Sequence, residues 1–351
     1  MAKSAAAKSA APKRNVIPLR RRRSPISTGE IIDRSLALEI VRVTERAAVA
    51  AARLRGRGDE RAADQAAVDA MRRELDRLPI HGEIVIGEGD RDSAAMLFIG
   101  EEVGDLNGPR LDIALDPLEG VTLCAKGQAN AISVIAIAER GTLLKAPDVY
   151  MSKIAIGPDY APDTVHLDAA PEDNIRRLAA AKGVSVQEIT ACILDRPRHA
   201  RLIDAVRGAG ASIRLISDGD ISAVIDVANP DKTGVDIYLG SGGAPEGVLA
   251  AAALKCIGGH MQARLMLDTA DARRAAAALG IRDADRIYGI EDMARGDVLF
   301  AATGVTEGSL LQGVRFGPRS ISTETVVMRS STLTCRRIFA EHRKTEKFHL
   351  D

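Results

Sequence analysis

Acidic side chains recur in this sequence at places where the backbone is expected to turn. Several of them stand beside Gly or Pro and follow an apolar run of strand type. Carboxylates gathered at such strand ends repel one another unless cations lie among them, and these hard oxygen ligands suit Mg²⁺ or Mn²⁺. The pattern predicts a divalent-metal site. Its candidate residues are Asp64, Glu88, Asp116, Glu119, Asp218, Asp220 and Glu246.

One of these segments carries a stronger signal than the others. Residues 116–120 read Asp-Pro-Leu-Glu-Gly and follow the buried-type run 113–115. Two acids three positions apart after a strand form a ready clamp for a metal ion. For any other single segment the alternative stays open that the acid is an ordinary turn residue, because acids next to Gly or Pro are common in turns.

Two further features suit the binding of an anion. Arg196 and Arg198 flank the stiff Pro197, and two guanidinium groups held in this way can grip a phosphate. The loop 240–243 reads Gly-Ser-Gly-Gly and leads into a predicted helix, where free backbone N–H groups favour an anion. The alternatives are that Arg196 and Arg198 are ordinary surface residues and that the loop 240–243 is an ordinary glycine turn, and the sequence of either segment alone does not exclude them.

Other chemistries lack a motif. The sequence contains neither GxxxxGK[ST] nor a GxGxxG in a strand-to-helix setting, so a P-loop or dinucleotide fold has little support. The 6 histidines show no HxxxH or HxH spacing and no Ser stands in a GxSxG elbow, which argues against zinc and a serine nucleophile. Acid clusters with arginine anchors therefore indicate metal-activated water attacking a phosphate ester.

The composition describes a globular protein with an uneven charge distribution. The chain has 351 residues, 46% of them hydrophobic, and carries 48 basic against 48 acidic residues. Eight of the basic residues lie within residues 1–25, which contain no acid, so the rest of the chain is net acidic. This balance and an aromatic content of 3% argue against nucleic-acid or anionic-membrane partners, except through the tail.

Location is predicted from cysteine usage and hydropathy. The 4 cysteines are widely spaced, no apolar run is long enough to span a membrane, and the N-terminus lacks the apolar stretch of a secretory signal. We predict a cytoplasmic protein.

Hydrophobic periodicity predicts an α/β protein, because short strands alternate with helices beyond about residue 157. The predicted helices cover 27–55, 62–78, 174–182, 200–209, 221–227 and 245–257. The predicted strands cover 84–86, 96–99, 111–115, 132–138, 190–194, 212–216, 235–239, 298–302 and 324–328.

Three parts of the chain are predicted. Residues 1–25 form a disordered basic extension, with a transit peptide or a tether for nucleic acid or membrane as alternatives. Residues 26–160 form an N-terminal α/β subdomain with the metal-binding acids, and residues 161–345 form a C-terminal α/β subdomain with the arginine and glycine segments that suit an anion.

Taken in order along the chain, the motifs resemble those of class II fructose-1,6-bisphosphatases, the GlpX-type family that includes bifunctional fructose/sedoheptulose bisphosphatases. The likeness runs from about residue 34 to residue 338, and several motifs in register make it specific. The segments that carry it are 56–59 with Asp64, 85–89, 112–120, 127–131, 146–151, 196–199, 218–220 and 242–247.

The resemblance implies a fold and a set of site residues. The fold is α/β, the layered α/β/α/β/α sandwich of the lithium-sensitive sugar phosphatase superfamily, and the assembly is a homo-oligomer, either dimer or tetramer. The implied ligands of Mg²⁺ or Mn²⁺ are Asp64, Glu88, Asp116, Glu119 and Glu246. The implied substrate contacts are Glu119, Gly120, Val121, Tyr150, Arg196, Pro197, Arg198, Asp218, Gly219, Asp220 and Gly243.

Position 121 departs from the family pattern. The pattern continues after Gly120 with Thr, which is expected to position and deprotonate the attacking water together with an acid matching Asp92. Val121 has nearly the same shape without the hydroxyl, and Thr122 is expected to point the other way in an extended segment. We therefore expect binding to survive and catalysis to be weakened. The further departures, which leave substrate preference open, are Glu60, Ser93 and Ala95.

The leading hypothesis is hydrolysis of the 1-phosphate of fructose-1,6-bisphosphate to fructose-6-phosphate and phosphate. Two cations would stabilise the attacking and leaving oxygens without a covalent intermediate. The catalytic residues would be Asp92, as the base, with Asp116 and Glu119. The alternatives are sedoheptulose-1,7-bisphosphatase or dual activity and, from another class, a catalytically impaired sugar-phosphate-binding protein.

Overall fold

The structure, a computed structural model, describes residues 36–89 and 96–349. The predicted extension over residues 1–25 lies outside the described residues, as do the start of the first predicted helix and the positions of Asp92, Ser93 and Ala95. The described residues belong to one compact unit.

Strands and helices alternate along the described chain. The strands are β1 (His81–Ile86), β2 (Glu102–Val103), β3 (Arg110–Glu119), β4 (Ile132–Glu139), β5 (Tyr150–Ile156), β6 (Thr190–Leu194), β7 (Ser212–Ile216), β8 (Ile237–Gly243), β9 (His260–Leu265), β10 (Tyr288–Gly289), β11 (Val298–Gly304), β12 (Arg315–Phe316), β13 (Ile321–Arg329) and β14 (Thr334–His342). The helices are α1 (Leu36–Ala52), α2 (Glu60–Leu75), α3 (Val121–Ala125), α4 (Pro171–Lys182), α5 (Ala200–Ala209), α6 (Asp220–Asp226), α7 (Pro230–Thr233), α8 (Ala244–Ile257), α9 (Ala270–Ala278) and α10 (Ile290–Met293).

The described strands form two mixed sheets. The first has the order β12-β13-β11-β4-β3-β1-β2, and β14 also pairs with β13. The second has the order β10-β9-β5-β8-β6-β7, in which β6 runs parallel to both β7 and β8. The first sheet thus combines β1 to β4 with β11 to β14 from later in the chain. A subdomain boundary at residue 160 stays a prediction.

Helix α1 covers the outer face of the first sheet. Thr303 Oγ1 donates to Thr44 Oγ1 at 2.7 Å, and Thr323 Oγ1 donates to Glu45 Oε1 at 2.9 Å. Side chains alternate between the two faces of a strand, so the neighbouring Phe300 and Ala302 point into the core between the sheets.

Helix α8 fills the space between the two sheets. It contacts β3, β4 and β11 of the first sheet and β5, β8 and β9 of the second. All residues from Val248 to Leu254 are buried, as expected for a helix that is apolar on every side. Its alanine-rich sequence keeps the helix thin enough for both sheets to pack against it.

The second sheet separates this central core from an outer one. Ala155 and Cys192 point towards α8, whereas Ile154 and Ile193 point outwards and pack with residues of α4 and α5. The order of helices, sheet, helix, sheet and helices confirms the predicted α/β/α/β/α sandwich.

Three local predictions are wrong. Residues 96–99 form no strand, and β1 pairs instead with the later strands β2 and β3. The loop predicted over 240–243 belongs to β8, because its residues pair with β5 and sheet pairing outweighs the weak strand preference of glycine. The segment that begins at Val121, predicted to be extended, is helix α3.

None of the described helices is long and apolar enough to cross a membrane.

Candidate active site

A bulge at the end of β3 brings Asp116 and Glu119 to the same side of the first sheet. Asp116 pairs with Val134 of β4 and Glu119 pairs with Ile132, so β3 carries one residue more than its partner over this stretch. Residues three apart in a regular strand point to opposite faces, and one extra residue restores the same face. Pro117 lies inside the bulge, where its lack of an N–H group costs no ladder hydrogen bond.

A third carboxylate comes from helix α8, which follows strand β8 of the second sheet. Glu246 lies in the first turn of α8, directly after β8. One carboxylate oxygen each from Asp116, Glu119 and Glu246 lies within 4.8 Å of the others, which makes them a group able to hold a metal ion. A Cβ on Gly243 would lie 1.8 Å from Glu246 Oε2, so a side chain at position 243 would displace the Glu246 carboxylate.

The remaining predicted ligands line the same cavity. Its volume is about 650 Å³. Asp64 reaches it from α2 and Glu88 from the turn after β1. The predicted site residues that line this cavity, the catalytic cavity below, are Asp64, Glu88, Asp116, Glu119, Gly120, Val121, Asp218 and Glu246.

The carboxylates of this cavity carry an electrostatic penalty. Burial raises the pKa of Glu119 well above its usual value, and the charges of Asp116 and Asp220 raise it further. Burial and neighbouring acids likewise raise the pKa of Asp116 and of Glu246. The group therefore resists ionisation unless positive charge lies among its oxygens.

These residues fit a divalent cation. Glu246 Oε2 is buried and has no hydrogen-bond partner, although buried polar atoms are normally paired. The unpaired oxygen belongs to the three-carboxylate group, whose hard oxygen donors match the ligands that Mg²⁺ and Mn²⁺ prefer.

We expect the free energy of unfolding of the EDTA-treated protein to fall as the pH rises from 4.5 to about 7. Burial raises the pKa of Glu88 from 4.5 to about 7, and the charge of Asp64 adds to the shift. In this window the unfolded chain has released a proton that the folded chain retains, so a rise in pH favours unfolding. Denaturation at several pH values measures the slope. Glu88→Gln should flatten it, and an unchanged slope would contradict the assignment.

The Asp218 to Asp220 loop meets a buried lysine. Asp218 lines the catalytic cavity, but Asp220 is buried and forms an ion pair with Lys153 of β5. Lys153 Nζ also donates to the Gly243 carbonyl at 3.0 Å. The ammonium group of Lys153 therefore connects the 218–220 loop to the segment that leads to Glu246. Sequence reasoning missed Lys153. A single lysine directly before the apolar run 154–156 is the signal that could have found it.

The arginine segment, residues 196–198, lies outside the catalytic cavity, but the charge of Arg196 acts on Asp218, which lines it. Tyr150, Arg196, Pro197 and Arg198 do not line that cavity. Arg198 Cζ lies 4.6 Å from the centre of the Tyr150 ring, and Arg196 Nη1 donates to the Asp195 carbonyl at 3.2 Å. Gly219, Asp220 and Gly243 are also outside the lining, although Gly219 directly follows Asp218, which lines it.

Val121 is the first residue of α3 and lines the catalytic cavity. Gly120 before it adopts φ +85°, a left-handed conformation that favours glycine and turns the chain from β3 into the helix. Thr122 is not among the lining residues. The sequence predicted that Thr122 points away from the site because the segment is extended. The segment is helical instead, but Thr122 still does not line the cavity, so its hydroxyl does not replace a hydroxyl at position 121.

A family model for bacterial fructose-1,6-bisphosphatase, glpX-encoded, matches residues 34–342. The chain belongs to this family. Membership in the GlpX fructose-1,6-bisphosphatases makes the protein a phosphoric monoester hydrolase of the class II fructose-bisphosphatase type, as the motifs predicted.

Curated relatives of this GlpX-type protein cover nearly its whole length. A Synechococcus sp. (strain JA-3-3Ab) protein is 46% identical over 338 residues, which are 89% of this chain and 97% of the relative. A Trichodesmium erythraeum (strain IMS101) protein is 42% identical over 336 residues, with the same coverage. Both are named D-fructose 1,6-bisphosphatase class 2/sedoheptulose 1,7-bisphosphatase.

Proposed function

We propose that this chain hydrolyses the 1-phosphate of fructose-1,6-bisphosphate with Mg²⁺ or Mn²⁺ bound by Asp116, Glu119 and Glu246. The convergence of these three carboxylates, one with an unpaired buried oxygen, supports the proposal most strongly. The family membership supplies the class of substrate, a sugar bisphosphate. Asp64 and Glu88, which line the same cavity, complete the proposed ligand set.

The cations, when bound, would neutralise the carboxylates and polarise the phosphate that is cleaved. Backbone N–H groups of the chain hold two of the proposed ligands in place. Glu119 Oε1 accepts a hydrogen bond from the Ile221 N–H at 3.2 Å, which fixes its carboxylate against α6. Asp116 Oδ1 accepts one from the Leu118 N–H at 3.0 Å. Asp92, the proposed base, lies outside the described residues.

Phosphate release tests the proposed activity. Fructose-1,6-bisphosphate, sedoheptulose-1,7-bisphosphate, fructose-6-phosphate and fructose-1-phosphate should each be incubated with the protein in Mg²⁺ and in Mn²⁺. We expect release from fructose-1,6-bisphosphate and little from fructose-6-phosphate. Release from none of the four would contradict the proposed function, and the ratio of the two metals identifies the preferred cation.

A second candidate activity is sedoheptulose-1,7-bisphosphatase, alone or together with the first. Its support is the double name of the relatives at 46% and 42% identity. The same screen decides it by the ratio of kcat/KM for the two bisphosphates. The homo-oligomer and the cytoplasmic location inferred from sequence stay predictions.

A further inference from the structure

Two parallel strands of the second sheet separate where they approach the arginine segment. Strands β6 and β8 pair at Ala191 with Ile237 and at Cys192 with Tyr238. Their last residues lie beyond this pairing, and the buried imidazole of His199 bridges them there. His199 Nδ1 lies 2.8 Å from the Leu194 carbonyl oxygen of β6, and the Ser241 N–H of β8 donates to His199 Nε2 at 2.9 Å.

These two contacts fix the protonation of the ring. Since Nε2 accepts from a backbone N–H, the proton of the neutral ring lies on Nδ1 and is donated to Leu194. Burial lowers the pKa of His199, the hydrogen bond to Leu194 raises it, and the nearby charges of Arg198 and Arg196 lower it again. The imidazole is a neutral bridge between two strands.

The chain makes room for this ring. Gly240 of β8 adopts φ +145°, and a Cβ there would lie 3.1 Å from His199 Cε1 and 3.3 Å from Nε2. A side chain at position 240 would push the imidazole away from Ser241. The glycine and the histidine are therefore matched to each other.

Ser241 connects the histidine to the arginine segment. Arg198 Nε donates to Ser241 Oγ at 3.1 Å, and Arg198 Nη2 donates to the Ser241 carbonyl at 2.8 Å. The Ser241 hydroxyl lies 3.0 Å from His199 Nε2 as well. With the Tyr150 ring packed against it, the guanidinium of Arg198 is held along one edge and on one face.

We propose that His199 is a positioning residue that acts through Ser241 to orient Arg198 towards the phosphate that is not cleaved. The inference rests on the proposed function, because it needs a substrate with two phosphates. The catalytic cavity receives the phosphate that is cleaved, and Arg198 does not line it. A planar guanidinium grips a phosphate well only in a fixed orientation, which the two bonds to Ser241 supply.

His199→Ala tests the inference. We expect the KM for fructose-1,6-bisphosphate and the Kd for fructose-6-phosphate, measured by calorimetry, to rise roughly tenfold, with kcat within about twofold. His199→Gln can still accept from Ser241 and should recover most of the affinity. His199→Asn reaches only Leu194 and should behave like His199→Ala.

A double-mutant cycle separates positioning from general support of the fold. Adding His199→Ala to Arg198→Ala should cause no further loss of affinity, because the oriented group is already gone. His342→Ala is the matched control, since His342 is also buried and hydrogen-bonded but lies on β14 of the first sheet. It should leave KM and Kd unchanged.

The outcomes are distinct. An active wild-type protein whose KM and Kd are unchanged in His199→Ala would overturn the inference, and so would additive losses in the double variant. A wild-type protein that releases no phosphate from any sugar bisphosphate would instead overturn the proposed function. In that case, the fructose-6-phosphate Kd of wild-type protein and of His199→Ala would still test the positioning role of His199. If His199→Ala fails to fold, the inference is tested by His199→Gln and His199→Asn. Equal affinities of these two variants for fructose-6-phosphate would overturn it.

Discussion

Glu119→Gln is expected to lower phosphate release from fructose-1,6-bisphosphate by roughly 10²- to 10³-fold, because a metal ligand contributes several kcal/mol to the transition state. The same substitution is expected to raise the melting temperature of the EDTA-treated protein. Glu119 is buried among Asp116, Glu246 and Asp220, and burial followed by their charges raises its pKa. A neutral amide of the same shape removes that repulsion.

The two effects have opposite signs for one reason. Without a cation, the Glu119 charge opposes folding, and with a cation the same charge binds it. Saturating Mn²⁺ should therefore stabilise the wild-type protein more than the Glu119→Gln variant. Differential scanning calorimetry with EDTA and with Mn²⁺, beside a phosphate-release assay, measures both.

Asp112 provides the control on the same strand. It is fully buried, but its Oδ2 accepts N–H groups of Gly141, Thr142 and Leu143 at 2.7, 2.9 and 3.2 Å. Asp112→Asn weakens these charge-assisted bonds, so stability should fall while phosphate release stays within about twofold. A Glu119→Gln variant with wild-type activity, or one destabilised in EDTA, would contradict the metal assignment.

Val121→Thr is expected to raise kcat for phosphate release by roughly 10²-fold, the lower end of the range for general acid–base catalysis. Val121 lines the catalytic cavity at the start of α3, next to Glu119 and Gly120. Threonine matches the shape of valine and adds one hydroxyl, which can orient a water molecule beside these groups. KM should change little, because the added group assists the reaction and not the binding.

Thr122→Val is the matched control for this substitution. It exchanges the same two residue types one position later, where the side chain does not line the catalytic cavity. We expect its kcat to equal that of the unmodified chain. If Val121→Thr shows no gain in kcat, the chain does not need a hydroxyl at this position, and the proposed weakening is wrong.

The α/β character of the chain and the acidic cavity could be predicted because both leave local marks in the sequence, whereas the five-layer order was implied by the family resemblance. The run before Asp116 is a buried strand by composition, and α8 is alanine-rich and apolar on all sides, as a helix between two sheets must be. Acids at strand ends predicted a metal site, and the structure brings Asp116 and Glu119 of β3 together with Glu246 of α8.

What could not be predicted depends on partners distant in sequence. Gly240 to Gly243 read as a turn, but pairing with β5 makes them strand. The segment after Gly120 leaves β3 through one left-handed glycine conformation and continues as helix α3. Lys153 contacts Asp220, which lies 67 positions away in the chain, and His199 contacts Ser241, which lies 42 positions away. No periodicity in the sequence records such contacts.

The rate of phosphate release from fructose-1,6-bisphosphate, followed in EDTA and then after Mg²⁺ or Mn²⁺ is added in excess, tests the central claim most directly. The carboxylates of the catalytic cavity repel an anionic substrate until cations lie among them, so we predict no release in EDTA and full recovery on adding either metal. Release in EDTA at the rate seen with metal would contradict this account.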